Sequence, residues 1–292
     1  MKPIGEIFSK TNQTFKENWI SALVVSFVFI LIYVVALLAV VFFFGNPYFI
    51  IANSGSVGGV AIKLLIAYGA ILLVSIPLIW SYKTMFLSHI RGGNLSFVQL
   101  FNGYNDTWRI VWGYILQFFC FMAFVLLLGV IALMVRKLFD NDPMAVVLMA
   151  IPIYLVYVAG VIYIYLSLCL FDYIIFDDGD ISAFDALKRS VQLMKGHKLQ
   201  LFVTIFLFNL AFSFAILIPL IIIELAIHQE SAFLVIFSAV VVVVEILAFM
   251  SYSGMLMAHF YESVIDDGNG GAEPIAEQAT VADGPAADFE EK

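Results

Sequence analysis

The sequence AFDALKRSVQLMKGHK, residues 183–198, runs directly into the long apolar segment 199–223. Two earlier stretches have the same form: IGEIFSKTNQTFKENW at 4–19 and FVQLFNGYNDTWRIVW at 97–112. Each stretch is amphipathic and leads into a long apolar run. This pattern predicts a short helix in the membrane interface that leads into a membrane-spanning helix.

The three stretches align without gaps at offsets of 93 and 179 residues. Phe15, Trp108 and Met194 then coincide, and each is followed by a basic residue. The alignment predicts an internal repeat of three units, in which each unit contains two spans and returns to the same side of the membrane. Chance similarity is the alternative, because any basic loop between spans has apolar ends. The predicted units are 4–82, 97–172 and 183–262.

Composition identifies an integral membrane protein, since 63% of the residues are hydrophobic, 12% are charged and the mean hydropathy is +1.03. Soluble domains carry about 25% charged residues. Near-continuous apolar runs of about 20 residues or more favour helices over the strands of a barrel. The predicted fold is therefore all-α and polytopic, with six transmembrane helices in three hairpins, each preceded by a cytoplasmic amphipathic interfacial helix. The predicted spans are 20–44, 59–81, 110–135, 144–171, 199–223 and 232–257.

Basic residues are distributed unequally between the two sides that six spans define. Ten lie on the side of the termini and three on the other, which places both termini in the cytoplasm. The first run lacks a small-residue cleavage site and is predicted to be a retained helix. The ten are Lys2, Lys10, Lys16, Lys83, Arg91, Arg109, Lys188, Arg189, Lys195 and Lys198; the three are Lys63, Arg136 and Lys137.

The acidity of the chain is concentrated at its end. Residues 263–292 hold eight acids and one base, whereas the formal net charge of the whole chain is −8. We therefore divide the chain into a membrane domain, 1–262, and an acidic tail, 263–292, that is predicted to be disordered. The acidity argues against nucleic acid as a partner, and the tail is either simply solvated or binds a partner protein.

Glu245 is the most conspicuous polar residue within a predicted span, about 18 Å from either end of it. Ionisation at that depth costs about 3 kcal/mol or more, and no intramembrane Lys or Arg is available to pair with it. Glu245 is either a proton or cation site or a neutral acid that is hydrogen-bonded between helices. Asn209 and Gln117 are its candidate companions, with interhelical hydrogen bonding as their alternative role. Pro77, Pro152 and Pro219 are predicted to break three spans.

The stretch at 183–198 carries the densest group of bases. Phe184, Leu187, Val191 and Met194 form its apolar face, which is predicted to lie towards the lipid. Ser182 with Asp185 resembles a capping box, as does Ser96 with Gln99 before the second stretch. The candidate contacts to lipid head groups follow; their alternative role is to set topology. They are Lys188, Arg189, Lys195, His197 and Lys198.

No metal, cofactor or catalytic site is predicted. Cys120 and Cys169 both fall within spans and are expected to be small packing residues. His89, His228 and His259 are scattered over both sides. Motifs for a nucleophilic serine, a phosphate loop or a zinc helix do not occur in the sequence.

The sequence ALKRSVQLMKGHK at 186–198, followed by Leu201 and Phe202, resembles the central signature of a family of uncharacterised bacterial integral membrane proteins. That family is related to the membrane domain fused to some glycerophosphodiester phosphodiesterases. An acidic residue after the fourth span, Asp177 or Asp178, also matches. The resemblance covers roughly 80–262 and implies a six-helix membrane fold, but it implies no catalytic residues.

Three functions remain open from the sequence. The first is a non-enzymatic protein that acts on or with membrane lipids, in membrane homeostasis or assembly. The second is a small transporter or channel with a midplane polar site around Glu245. The third is a lipid-modifying enzyme. The sequence identifies no protein partner.

Overall fold

The computed structural model of the protein describes residues 2–44, 57–138 and 143–269. These segments are helical, and the described residues contain no strand. The elements are α1 (Ile4–Phe44), α2 (Val57–Ile90), a 3₁₀ helix (Phe97–Tyr104), α3 (Thr107–Leu138), α4 (Pro143–Leu168), α5 (Phe171–Asp177), α6 (Ala183–Leu193), α7 (Lys198–His228) and α8 (Ala232–Asn269).

Six stretches of helix are long and apolar enough to cross a membrane, and each overlaps one predicted span. This confirms the prediction of a multi-pass helical membrane protein. Large apolar side chains such as Leu65, Met134 and Phe233 are exposed along these helices. Such side chains can face lipid because they are apolar. The helix backbone can also do so, because all its hydrogen bonds are internal. The spans are Ile4–Ala39, Ala61–Ile90, Thr107–Leu138, Leu148–Asp177, Lys198–His228 and Ala232–Asp267.

Five spanning helices form a closed cycle of neighbours in the order α2, α3, α4, α7, α8 and back to α2. Helix α1 packs outside this cycle against α2 and α8. A buried hydroxyl group joins these three helices: Ser26 Oγ lies 2.7 Å from Tyr82 Oη and 2.7 Å from Ser251 Oγ. Such polar contacts are common between membrane helices, where a hydroxyl has no water to bind.

Buried side chains are concentrated at the end of the bundle where α1 begins and α8 ends. We call this end the base, and it comprises residues 2–18, 83–113, 166–204 and 250–269. Its core includes Ile7, Leu100, Tyr173 and Phe260, each at most 2% exposed. Towards the opposite end, buried residues among those described are sparse, and most of the helix surface is exposed. The base is thus the packed part of the molecule.

The three predicted interfacial stretches all lie at the base, but they differ in structure. The first is continuous with α1, with one break at Asn18 (φ −127°, ψ 18°). The second is not one helix: a 3₁₀ helix ends at Tyr104, and α3 begins at Thr107. The sequence between them, Asn105 and Asp106, is of a type that favours turns over helix interiors. The third is α6, which is separate from α7.

The apolar face predicted for residues 183–198 is turned partly towards the protein rather than the lipid, because Leu187 and Met194 are buried. Ala183, Ala186 and Ser190 are buried together with Leu187, whereas Phe184 is 66% exposed. The Ser190 hydroxyl donates to the Ser167 carbonyl at 2.9 Å. Small residues allow this close approach of α6 to the bundle, so the helix docks on its neighbours through them.

The start signal at Ser182 is confirmed, because Ser182 Oγ accepts the Asp185 amide at 3.1 Å and caps α6. Ser96 Oγ accepts the Val98 amide at 3.3 Å rather than that of Gln99, and the buried Oε1 of Gln99 has no hydrogen-bond partner among the described residues, so the predicted box of Ser96 with Gln99 does not form. Pro77, Pro152 and Pro219 do not break their spans, because each lies inside a continuous helix. Membrane helices tolerate proline where neighbouring groups or local adjustments satisfy the freed backbone.

The last helix extends to Asn269, so residues 263–269 of the predicted disordered tail are helical. The remaining part of the tail, 270–292, lies outside the described residues.

Candidate functional site

A cavity of about 650 Å³ lies inside the helix bundle, and all six spans contribute to its wall. Most of the wall is apolar and aromatic, and it includes Phe29, Phe121, Phe208 and Phe249. The volume falls in the range of sites for single small ligands, about 300–1,000 Å³. The cavity can therefore hold one molecule with substantial apolar surface.

An ion pair lies at the end of the cavity that is within the base. Lys83 Nζ of α2 lies 2.7 Å from Asp172 Oδ2 of α5, and both side chains line the cavity. Lys83 is seven residues before the end of α2 at Ile90, or about 10 Å along the helix axis. The pair therefore lies within the membrane-spanning helices, and polar residues there are rare and often functional.

Hydrogen bonds hold Asp172 firmly in place. Its Oδ1 accepts the Tyr114 hydroxyl at 2.9 Å, while Oδ2 accepts Lys83. Its backbone carbonyl accepts the Trp80 indole N–H at 3.1 Å. Asp172 also lies in the first turn of α5, where the helix dipole favours a carboxylate. The acid is thus fixed by three side chains from two other helices, α2 and α3.

A turn at Cys169 and Leu170 explains why Asp172 points inward. Helix α4 ends at Leu168, and the short α5 begins at Phe171 as a separate element. Phe171 packs against Gly113 of α3 so closely that a Cβ at position 113 would collide with its ring. This close approach brings α5 against α3 and turns its first residues towards the cavity.

Two of the three predicted midplane residues meet at this cavity. Gln117 and Asn209 both line it, from α3 and α7. Asn209 Nδ2 donates to the Ile205 carbonyl of its own helix at 2.8 Å, so Asn209 is not bonded through this group to Glu245. Glu245 is not among the described residues that line the cavity, and its buried Oε2 has no hydrogen-bond partner in the described part of the chain. The structure therefore separates Glu245 from its two predicted companions.

No lysine or arginine pairs with Glu245 among the described residues, but Lys83, which falls outside the predicted spans, lies within the second candidate spanning helix and pairs with Asp172. The apolar run was predicted to end at residue 81, whereas the second spanning helix continues to Ile90. Hydropathy falls in SYKTMFLSHI (81–90), but the helix continues because Met85, Phe86 and Leu87 are buried in the base. In the sequence, Lys83 contributes only to the prediction of topology, and no pattern assigns Asp172 to a functional site.

The five predicted head-group contacts occupy different environments at the base. Lys188 and Lys195 are exposed and form no ion pair with a described residue, while Arg189 Nη1 lies 3.7 Å from Asp178 Oδ2. Lys198 Nζ sits 3.4 Å from the centroid of the Tyr163 ring, a cation–π contact. His197 precedes the first residue of α7, and its Nδ1 is buried without a partner in the described residues. They do not form a single pocket around one ligand.

A second charged layer lies between the ion pair and the end of the bundle. The Arg91 guanidinium contacts both oxygens of Asp177, at 2.5 and 3.0 Å, and its Nε donates to Glu262 at 2.6 Å. The hydrogen bonds with Asp177, opposed by burial and reinforced by Glu262, raise the pKa of Arg91. Tyr261 donates to Asp177 at 2.8 Å, and its ring stacks on Tyr173 with centroids 5.2 Å apart. Because both tyrosines are almost fully buried, this layer packs tightly at the base beside the ion pair.

The titratable side chains do not form a metal site. No group of three or more His, Cys, Asp or Glu residues that could hold a metal ion is present in the described ranges. Cys169 lines the cavity, whereas Cys120 is exposed on α3. Lys83 and Asp172 are the charged residues that line the cavity in the described structure, and the two amides, several tyrosines, Cys169 and Ser253 are its uncharged polar residues.

No protein-family model matches the chain, and the comparisons with curated proteins and with solved structures gave no significant match. The family resemblance of residues 186–202 therefore stays a prediction.

Proposed function

We propose that this chain is a non-enzymatic lipid-binding protein of the bacterial inner membrane, with both termini in the cytoplasm, that takes one amphipathic lipid into its cavity. Its role would be in membrane homeostasis or assembly. The observation that carries this proposal is an ion pair in a cavity whose wall is mostly apolar and aromatic. Lys83, Asp172 and Tyr114 lie at the end of the cavity towards the base, and apolar and aromatic side chains such as Phe121, Phe208 and Phe249 predominate in the wall.

The apolar character of the wall favours a ligand with a hydrocarbon chain. Burial of apolar surface stabilises a complex by about 25 cal/mol per Å² in water, but such a ligand arrives from the bilayer. Its chain therefore gains little by transfer alone, and the polar end must supply selectivity. A lipid with a hydrogen-bonding head group meets both conditions.

The proposed orientation rests on the distribution of basic residues. Arg91, Arg109 and the basic residues of α6 lie at the end of the bundle that we call the base, together with the beginning of α1. The positive-inside rule then places the base at the cytoplasmic surface. The exposed rings of Trp108 and Trp112 stack with centroids 6.2 Å apart near the same end, where aromatic residues commonly anchor a protein in the interface.

The three-fold internal repeat belongs to the same proposal. Asn18, where α1 breaks, aligns at the offset of 179 residues with His197, which immediately precedes α7. Equivalent positions thus separate the interfacial part from the span in the first and third units. The second unit departs from the pattern, because its break lies at residues 105 and 106.

Retention of lipid by the purified protein tests the proposal. Native mass spectrometry in a mild uncharged detergent is expected to find one tightly held lipid per chain. Asn209→Trp places a large ring into the cavity and is expected to abolish that retention. Ser213→Trp is the matched control, since Ser213 lies one turn further along α7 and is not among the described residues that line the cavity. Equal retention in both variants, or none in the parent, would contradict the proposal.

Lipid bound at the surface bases can be separated from lipid in the cavity. Neutralising Lys188, Arg189, Lys195 and Lys198 together is expected to remove weakly held anionic lipids. The tightly held molecule should remain, because these side chains do not line the cavity in the described structure. Loss of the tight lipid in this variant would place it at the surface instead.

A small transporter is the second candidate, and the observation that favours it is the ion pair inside the spanning helices. Gln117 and Asn209 extend the polar surface of the same cavity. Proteoliposomes loaded with a pH-sensitive dye and given a pH gradient test this reading. A transporter coupled to protons through this ion pair predicts a flux that Asp172→Asn abolishes, whereas coupling through Glu245 predicts loss of flux in Glu245→Gln. Absence of flux in the parent protein would remove the proton-coupled form of this candidate.

A further inference from the structure

We propose that the occupant of the cavity is an anionic amphiphile, in which a carboxylate or phosphate on a hydrocarbon chain binds Lys83. This inference rests on the proposed function and specifies the chemical class of the ligand. Its basis is that the two members of the ion pair are unequally available to a molecule in the cavity.

The cation is accessible and the anion is not. The Lys83 side chain is 41% exposed, and the Asp172 side chain is 7% exposed. Although the pair is neutral as a whole, the cavity therefore presents its positive member. A ligand that approaches this end meets an ammonium group before it meets a carboxylate.

The hydrogen-bonding capacity of the two groups points the same way. Asp172 already accepts from Lys83 and Tyr114, one donor on each oxygen. A lysine ammonium has three donors. One is directed to Asp172 at 2.7 Å, and the contact with the Tyr114 oxygen is long, at 3.4 Å. Lys83 thus retains donor capacity for an acceptor on a ligand, whereas a cationic ligand would have to displace Lys83 from Asp172.

Gln117 supplies a second donor for such a head group. It follows Tyr114 by three residues, so both side chains lie on the same face of α3 and line the cavity. No hydrogen bond joins the Gln117 amide to another described residue. Its two N–H groups can therefore bind a second oxygen of a carboxylate or phosphate. An oxyanion would then be held by one charged and one neutral donor.

Binding of radiolabelled oleate to the purified protein tests the inference. Competitors with the same chain separate charge from hydrophobicity: monoolein is uncharged, and oleylamine is cationic. Acetate and inorganic phosphate carry the anionic group without the chain. We expect oleate to bind saturably, at least about tenfold more tightly than monoolein, which is the effect of one charge-assisted hydrogen bond. Acetate and phosphate should not compete at millimolar concentration.

The variants predict effects of opposite sign. Lys83→Met is expected to remove the preference for oleate over monoolein, and Lys83→Arg is expected to retain it. Asp172→Asn should leave oleate binding as strong as in the parent or stronger, because Lys83 no longer has a competing carboxylate. Neutralising Lys188 and Lys195 is the control for electrostatic attraction at the surface and should leave the preference intact.

Each outcome decides one of the two claims. Saturable binding of oleate and monoolein with equal affinity would overturn the anionic class but leave lipid binding standing. The anionic class would also be overturned if Asp172→Asn lost oleate binding and bound no other ligand more tightly. This outcome counts only if the variant elutes as a single species in size-exclusion chromatography. If that variant does not fold, the comparison of Lys83→Met with Lys83→Arg decides. Absence of saturable binding by any of the chain-bearing molecules would contradict the proposed function itself.

Discussion

At the scale of single residues, Lys83 and Asp172 are the most consequential side chains of the cavity. They come from different helices, and neither is balanced by another charge that lines the cavity among the described residues. Removing one member of such a pair leaves a charge in a poorly hydrated place, and this costs more than the pair itself contributes.

Lys83→Met is therefore expected to lower the free energy of unfolding by about 3 kcal/mol. The double variant Lys83→Met with Asp172→Asn should recover most of this loss, because it leaves no uncompensated charge. Thermal unfolding in detergent, followed by tryptophan fluorescence, measures both. Lys16→Met is the control, as Lys16 is exposed and forms no ion pair with a described residue. A double variant as unstable as the single one would contradict the explanation.

Gly113 offers a second test at this scale. An added methyl group would overlap the Phe171 ring, and overpacking of this kind costs about 1–3 kcal/mol. Gly113→Ala should lower the melting temperature, whereas Gly129→Ala on the same helix should not, because nothing lies within 4 Å of the added Cβ. Gly113→Ala combined with Phe171→Leu should recover stability. If both alanine variants behave alike, α5 does not pack as described.

The residues of the site were only partly predictable from sequence. Glu245 is prominent because it lies near the middle of an apolar run, and position along such a run indicates depth in the membrane. Hydropathy carries no information about rotation around the helix axis, which decides what a side chain faces. Gln117 and Asn209 line the cavity and Glu245 does not, although all three fall inside predicted spans. A charged residue just beyond each of two apolar runs was the available signal for Lys83 and Asp172.

At the scale of elements, α5 links the cavity to the charged layer beside it. Its first turn holds Asp172 against Lys83, and its last residue, Asp177, binds Arg91. Lys83 belongs to α2 and Arg91 directly follows it, so two ion pairs fix this seven-residue helix to α2 and its C-terminal end. A helix of this length has little stability of its own and depends on such contacts.

Tyr261→Phe tests the outer attachment with a minimal change. It removes the hydroxyl that donates to Asp177 at 2.8 Å but keeps the ring that stacks on Tyr173. The expected loss is about 1–2 kcal/mol, as for a hydrogen bond to a charged group. Tyr68→Phe is a control, because the Tyr68 side chain is 57% exposed. Thermal unfolding compares the two, and an equal effect would show that the hydroxyl at 261 contributes nothing.

Helices were correctly predicted from the sequence where hydropathy or capping residues define them. They were not where a turn competes with a helix. The six spans and the start of α6 at Ser182 were predicted because apolar length and capping chemistry are local properties. The second interfacial stretch was predicted as one helix but divides at Asn105 and Asp106. Its helical spacing of apolar residues is also satisfied by a 3₁₀ helix followed by a new helix.

At the scale of the whole molecule, packing is strongly uneven. The base contains most of the buried side chains, while the described part of the other half of each long helix is largely exposed. Predicting this from sequence would require knowing which apolar residues face protein and which face lipid, and both classes are equally hydrophobic.

Reporter fusions test the orientation of the molecule. Green fluorescent protein fused after residue 269 should fluoresce, because it would fold in the cytoplasm. Alkaline phosphatase fused after Leu138 should be active, since this end of α3 would face the periplasm. The same enzyme fused at Gly93 should be inactive, which serves as the internal control. The reverse pattern at all three positions would invert the proposed topology.

The pairing of Lys83 with Asp172 also constrains how the chain is made. The two residues are 89 positions apart, so a ribosome that adds about 5–20 residues per second produces the lysine roughly 5–20 s before its partner. During that interval the second helix must enter the bilayer with an uncompensated cation. Its position about 10 Å from the end of the helix allows the side chain to extend to the surface until the acid arrives. The distance of Lys83 from the interface is thus short enough for insertion and long enough to place the finished ion pair inside the protein.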